Sequence, residues 1–281
     1  MSAPIDRRTF LGALPAAALL TGCGPSGSLA FPSRTLAGYG VQLYTLRSMM
    51  AGDVDGTLAA VAGIGYAEVE FAGLYGLTPR QMRNKLDAVG LRAASSHQSV
   101  SEIRGNWASI LDGAQELGQA LVVVPSIPSD LRTPDGLRGL ADDFNRAGEA
   151  AKAVDLRFGY HNHDWEHRAL SDGTVPMDLL LERTEAGLVD WQMDVFWTVH
   201  GGADPVTYLN DTAGRVTSIH VKDRTSIGEM VDVGDGAIDF AALIPFAEGL
   251  GLLHAFVEHD QPGDDAMESV RRSFTHLSTL S

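Results

Sequence analysis

From Gly40 onward, short apolar runs alternate with longer amphipathic stretches, the rhythm of βα units around a parallel sheet. The runs predict strands over residues 41–46, 67–71, 91–95, 120–125, 156–162, 188–195, 216–221 and 255–258. Between them, periodic patterns predict helices over 54–62, 79–89, 102–117, 137–154, 176–183, 205–209, 240–248 and 266–277. Eight such pairs in about 240 residues match the size of one (β/α)8 TIM barrel, so an α/β single domain is expected over residues 38–281. An open doubly wound sheet would need a glycine cradle after its first strand. The chain has Arg47-Ser48-Met49-Met50 there instead.

The N-terminus follows another pattern. Asp6-Arg7-Arg8-Thr9-Phe10-Leu11-Gly12 has the twin-arginine arrangement, and the apolar run of residues 13–20 is too short to span a bilayer. It leads into Leu20-Thr21-Gly22-Cys23, which resembles a bacterial lipobox and contains the one cysteine of the chain. Residues 1–22 therefore read as a twin-arginine lipoprotein signal peptide and residues 23–37 as a flexible tether rich in Gly, Ser and Pro. The expected location is outside the cytoplasm, periplasmic or at the cell surface, with membrane attachment only through a lipid on Cys23. The net charge of −15 over 281 residues argues against nucleic acid as a partner and suits a neutral or metal-bound substrate. Oligomeric state is not legible in the sequence.

Active sites of such barrels form at the C-terminal ends of the strands. Strand five runs into His161-Asn162-His163-Asp164-Trp165-Glu166, and strand six ends at Asp194. Strand seven ends in His220-Val221-Lys222-Asp223 and strand eight in Glu258-His259-Asp260. Alternation puts His161 with His163, Asp190 with Asp194, His220 with Lys222, and Glu258 with Asp260 on common faces. One donor from each of four neighbouring strands then points at one centre. Mixed carboxylate and imidazole donors suit Mn, Co, Zn or Fe, with Mg disfavoured by the histidines. A lone strand-end Asp is equally the N-cap of the next helix, and a lone His a structural group; four in succession favour a metal site.

These segments resemble the xylose isomerase-like barrel superfamily, which contains sugar isomerases, epimerases, inosose dehydratases and endonuclease IV. The resemblance covers essentially the whole mature chain. It rests on residues 159–166, Asp194-Val195-Phe196-Trp197, Gly202-Ala203-Asp204-Pro205, His220-Val221-Lys222-Asp223 and Val257-Glu258-His259-Asp260, with support from residues 42–47 and 68–73. It implies one divalent metal ion held by Glu, Asp, His and Glu from strands five to eight. The last three carry over to Asp194, His220 and Glu258. At the first, this chain has His161-Asn162-His163, leaving His161, His163 or Glu166, in that order of preference, as the fourth ligand.

The resemblance implies proton abstraction beside a carbonyl, enediolate chemistry on a non-phosphorylated sugar. Glu258, His163 and His97 are the candidate bases, and Lys222 the group that protonates or stabilises an oxyanion. Arg47, Glu70 and Glu166 are candidates for binding sugar hydroxyls, and Trp165 and Trp197 for stacking on a pyranose face. Reprotonation gives an isomerase or epimerase, the expected reaction. Loss of a β-substituent gives a lyase, or in reverse a hydratase, on 3-keto-glycosides or inososes, the alternative. A non-catalytic sugar-binding lipoprotein is a third reading. A DNA repair hydrolase would need three metals and a basic face.

Overall fold

The computed structural model describes residues 36–280. The leader, Cys23 and most of the predicted tether lie outside those residues. The tether's last two positions do not: the Leu36 amide donates to Glu248 Oε1 at 2.7 Å, so the barrel domain includes at least Leu36 and Ala37 ahead of the expected start at residue 38. Eight parallel strands close a barrel: β1 Gly40–Gln42, β2 Glu68–Phe71, β3 Arg92–His97, β4 Leu121–Val124, β5 Arg157–His161, β6 Val189–Asp194, β7 Val216–Val221 and β8 His254–Val257. Each strand pairs with its neighbours in sequence, and β1 closes the ring against β8 with Gly40 opposite Phe256. Among the described residues no helix is long and apolar enough to cross a membrane.

The outward faces of the strands carry Val41, Val69, Phe71, Val122, Phe158, Trp191, Ile219 and Val257, all packed into the apolar layer beneath the helices. The inward faces are largely polar, where many barrels use branched aliphatics. At the N-terminal end Arg157 NH2 donates to Asp190 Oδ1 at 2.7 Å, and Thr217 Oγ1 to Asp190 Oδ2 at 2.8 Å. Glu68 is held there by His254 at 2.8 Å and Arg92 at 3.1 Å. Asp190 therefore shares a face with Asp194 but belongs to this lower plug. Phe256 fills the interior because Gly40 leaves room for it; a Cβ at Gly40 would stand 2.5 Å from the ring.

Several boundaries differ from the pattern. The predicted first strand stops at Gln42, whose side-chain Oε1 accepts the Tyr44 amide at 3.0 Å, and the chain turns into an unpredicted helix, Arg47–Gly52. The predicted helix over 102–117 is two, Val100–Gly105 and Trp107–Leu117, broken at Asn106 with φ −140°. Beyond β7 a small hairpin, Asp223–Arg224 with Met230–Val231, stands over the barrel mouth. Buried Asp223 gathers this excursion, its carboxylate accepting from the amides of Arg224, Gly234, Gly236 and Ile238 at 2.8–3.2 Å.

Candidate active site

The pleat of β5 to β8 turns His161, Asp194 and His220 inward at the strand ends, with Lys222 and Glu258 one position beyond their strands. Asp194 divides its two oxygens. Oδ1 caps the helix Val195–His200 by accepting the Trp197 amide at 2.9 Å, while Oδ2 faces the barrel axis. The backbone here is set by Asn162, whose Oδ1 accepts from the Asp194 amide at 3.0 Å and from Trp191 Nε1 at 2.8 Å.

His220 lies between two carboxylates, with Nδ1 2.6 Å from Glu258 Oε2 and Nε2 2.6 Å from Glu70 Oε1. Burial alone would depress its pKa, but Glu258 and Glu70 outweigh burial and raise it to about 10. The Lys222 ammonium, 1% exposed, lies 2.8 Å from Asp194 Oδ2, 2.7 Å from Glu258 Oε2 and 2.9 Å from Asp260 Oδ1. Burial opposes its charge, yet the three carboxylates hold it well above the usual lysine range. Burial would likewise raise Glu258, but Lys222 and His220 keep its carboxyl well below the usual range. Asp194 is the least compensated of the group. Burial raises it to about 6 despite the opposing pull of Lys222.

Asp194, His220 and Glu258 bring one ligand atom each within 4.8 Å of one another, and His97, His161 and His220 do the same. Asp194 Oδ2 is buried, and its nearest partner is the Lys222 ammonium at 2.8 Å, with His161 Nε2 at 3.7 Å and His220 Nδ1 at 3.9 Å. A buried carboxylate oxygen beside His220 and a second carboxylate fits a divalent first-row cation, which would take the place of the proton that Glu258 and Glu70 hold on His220. His161 Nε2 lies 3.7 Å from Asp194 Oδ2, and burial, then the charge of His220, holds its imidazole well below the usual pKa, in the neutral form that ligates. His163 is farther out, its ring 5.1 Å from that of His161. Burial and then Lys222 lower it to about 4, leaving it neutral near pH 7.

Above this cluster opens a cavity of about 550 Å³ whose walls include His97, His161, His163, Lys222, Glu258 and Asp260. Tyr44, Gln98, Ser99 and Ser126, from loops after β1, β3 and β4, complete its rim. Sequence reasoning missed these loop residues, since nothing in the strand pattern marks them.

Four residues expected to touch substrate are placed otherwise. Glu70 is fully buried below the cavity, accepting from Gln42 at 2.8 Å and Gln192 at 2.7 Å and facing His220 and His97; it positions imidazoles. Glu166 is fully buried as well, bonded to the Tyr160 hydroxyl and, at 2.9 Å, to the His163 amide, so it serves neither as ligand nor as substrate contact. Trp165 lies under the Arg132 guanidinium, 4.5 Å from its ring centre, and does not line the cavity. Arg47 braces the rim, donating to the carbonyls of Tyr44 at 2.7 Å and Asp260 at 3.1 Å. Trp197 packs beside His163 and Lys222, with ring distances of 5.8 and 6.0 Å. Gln42 and Gln192 are inward-facing positions whose role as donors to Glu70 could have been read from strand alternation.

Residues 58–277 match the family model described as xylose isomerase-like TIM barrel. An inosose dehydratase of Geobacillus kaustophilus is 26% identical over 67% of this chain and 74% of its own length. One from Clostridium beijerinckii is 25% identical over 65% of this chain and 74% of its own. The crystal structure of a sugar phosphate isomerase/epimerase from Parabacteroides distasonis superposes with a TM-score of 0.76 at 27% identity, covering 90% of this chain and 97% of that one. That family model spans well over half of the chain, and the chain belongs to the xylose isomerase-like TIM barrel family.

Proposed function

We propose that this protein is a divalent-metal-dependent lyase that eliminates a β-substituent from a keto-sugar or inosose. The observation that carries the reading is the donor cluster of Asp194, His220 and Glu258, reached through Glu258 from a cavity that also presents a cationic Lys222 and a neutral His163. The inosose dehydratase relatives favour elimination over the isomerase reading.

With His161 as the fourth ligand, a divalent cation would supply Lewis-acid polarisation of a substrate carbonyl. His163, neutral and facing the cavity, accepts the proton from the carbon beside that carbonyl. Lys222, held as an ammonium, stabilises negative charge growing on oxygen and does not readily surrender a proton. His163 then returns its proton to the departing β-oxygen. One C–H and one C–O bond break, one C=C bond forms, and water or an alcohol leaves. Glu70, Gln42 and Gln192 keep His220 and His97 oriented from below.

The test is incubation of the metal-loaded protein with inososes and 3-keto-glycosides in D2O, followed by NMR. Elimination gives an unsaturated ketone and a released hydroxyl compound. Deuterium uptake with retention of the substituent would support the epimerase reading, which the Parabacteroides structure favours. Binding without any exchange would leave a sugar-binding protein. Asp194→Ala and His220→Ala should lose bound metal by elemental analysis. We also propose export and lipid attachment at Cys23, checked by mass spectrometry of the mature N-terminus.

A further inference from the structure

Beside the catalytic cavity, and sharing Ser99 and Ser126 as walls with it, runs a second depression of about 690 Å³. It lies between the helix Val100–Gly105 after β3 and the turn Ser129–Leu131 after β4. Either space alone is the size of a small-molecule site, so one sugar ring in the first leaves the second for whatever that ring carries.

Both walls are held in place. Ser99 and Glu102 form a reciprocal capping box, and the Ser101 hydroxyl lies 2.8 Å from that of Ser99. Arg132 Nε donates to the Ile127 carbonyl at 2.9 Å while its guanidinium covers Trp165. Charge selects the occupant. Arg104 is engaged by Asp143, with Nε at 2.7 Å and NH2 at 2.6 Å, and Asp130 lies on the same wall as Arg132. The depression is also lined, among the apolar side chains of Val100, Ile127, Pro128 and Leu131, by Ser99, Ser101, Ser126 and Ser129. A phosphate or carboxylate would want free guanidinium pairs; an uncharged polyol needs donors and acceptors of this kind.

We propose that this groove binds the substituent at the leaving position of the reacting ring, so that the substrate is a neutral glycoside whose second sugar unit lies along Ser126 and Ser129. The proposal rests on the keto-sugar reading of the cavity. In the elimination described above, the departing oxygen then carries this second unit, which leaves as an alcohol through the groove after accepting a proton.

Gly105→Tyr and Ser129→Trp would fill the groove without entering the catalytic cavity. A Cβ at Gly105 meets nothing within 4 Å, and Ser129 is exposed, so both variants should fold. The wild type should prefer 3-ketocellobiose to 3-ketoglucose by at least about tenfold in kcat/KM, roughly 1.4 kcal/mol. Both variants should erase that preference while turning over 3-ketoglucose as before. No preference in the wild type, or an unchanged preference in the variants, overturns the groove assignment. Calorimetric binding of cellobiose, which cannot react, separates the two claims. If no keto-sugar is converted but cellobiose binds and the variants abolish its binding, the groove stands and the lyase reading falls. Displacement of cellobiose by inorganic phosphate would overturn the neutral-ligand assignment.

Discussion

Lys222 faces Asp194, Glu258 and Asp260 at 2.7–2.9 Å inside the protein, so its ammonium compensates three carboxylates at once. Lys222→Met should destabilise the metal-free protein by about 3–5 kcal/mol, the cost of leaving buried charge unpaired. Saturating divalent metal should restore part of that loss in thermal unfolding, since a cation again balances the carboxylates. A variant as stable as the wild type without metal would contradict this view. Glu166 gives a pH signature. Burial raises its carboxyl from 4.5 to about 7, despite the bond from Tyr160. Over that interval the folded form holds a proton that the unfolded chain has released, so this contribution to stability is full below about pH 4.5 and falls as pH rises through 7. Glu166→Gln should flatten the corresponding decline in urea unfolding. At this scale the sequence was partly legible. Asp194 could be read as a helix cap or as a ligand, and the structure shows Oδ1 capping the helix while Oδ2 faces the barrel axis beside Lys222. Glu70 and Glu166 were misplaced because a carboxylate near a strand end looks alike in sequence whether it meets substrate or lies beneath the site.

Elements came through where periodicity was long and failed where single side chains redirected the chain. Gln42 ends β1 early through a side-chain acceptor, and Asn106 splits a run that would otherwise pass for one helix. The hairpin after β7 left no periodic signal, since each of its strands has only two residues. Its organiser is Asp223, and Asp223→Ala should release amides at Gly234, Gly236 and Ile238. A loss of about 1–3 kcal/mol in local stability is expected from the hydrogen bonds to a charged carboxylate that are removed. Hydrogen exchange should accelerate across residues 224–238 while β2 to β4 keep their protection; unchanged exchange in the hairpin would refute the role. Gly148 marks another close approach. A Cβ there would sit 2.3 Å from the Leu188 carbonyl oxygen. Gly148→Ala should therefore lower stability by about 1–3 kcal/mol through overpacking, even though alanine favours helices.

At the scale of the molecule, a metal bound only by the folded barrel must stabilise it. At one hundred times its Kd the gain is about 2.7 kcal/mol, or roughly 5–10 °C in a domain of this size. Calorimetry should show that rise with Mn or Zn, and Asp194→Asn should remove it. A thermal midpoint indifferent to divalent ions would count against the ligand assignment. The same barrel carries a polar plug of Arg157, Asp190, Glu68 and His254 at its opposite end, so its inward face is ionic at both ends. Strand alternation alone could not tell these layers apart, because Asp190 and Asp194 differ only in height along one strand.

The order of apolar and amphipathic runs determined the eightfold βα architecture, since each run can bury its face only by joining a closed sheet under helices. Local chemistry also placed histidines and carboxylates at consecutive strand ends. Tertiary structure alone decided which of them share a cavity, which lie beneath it, and how the loops after β3 and β4 extend it. Those outcomes depend on strand tilt, on register shifts at Val69/Glu70 and Trp191/Gln192, and on desolvation by residues distant in sequence. No local pattern encodes such distances.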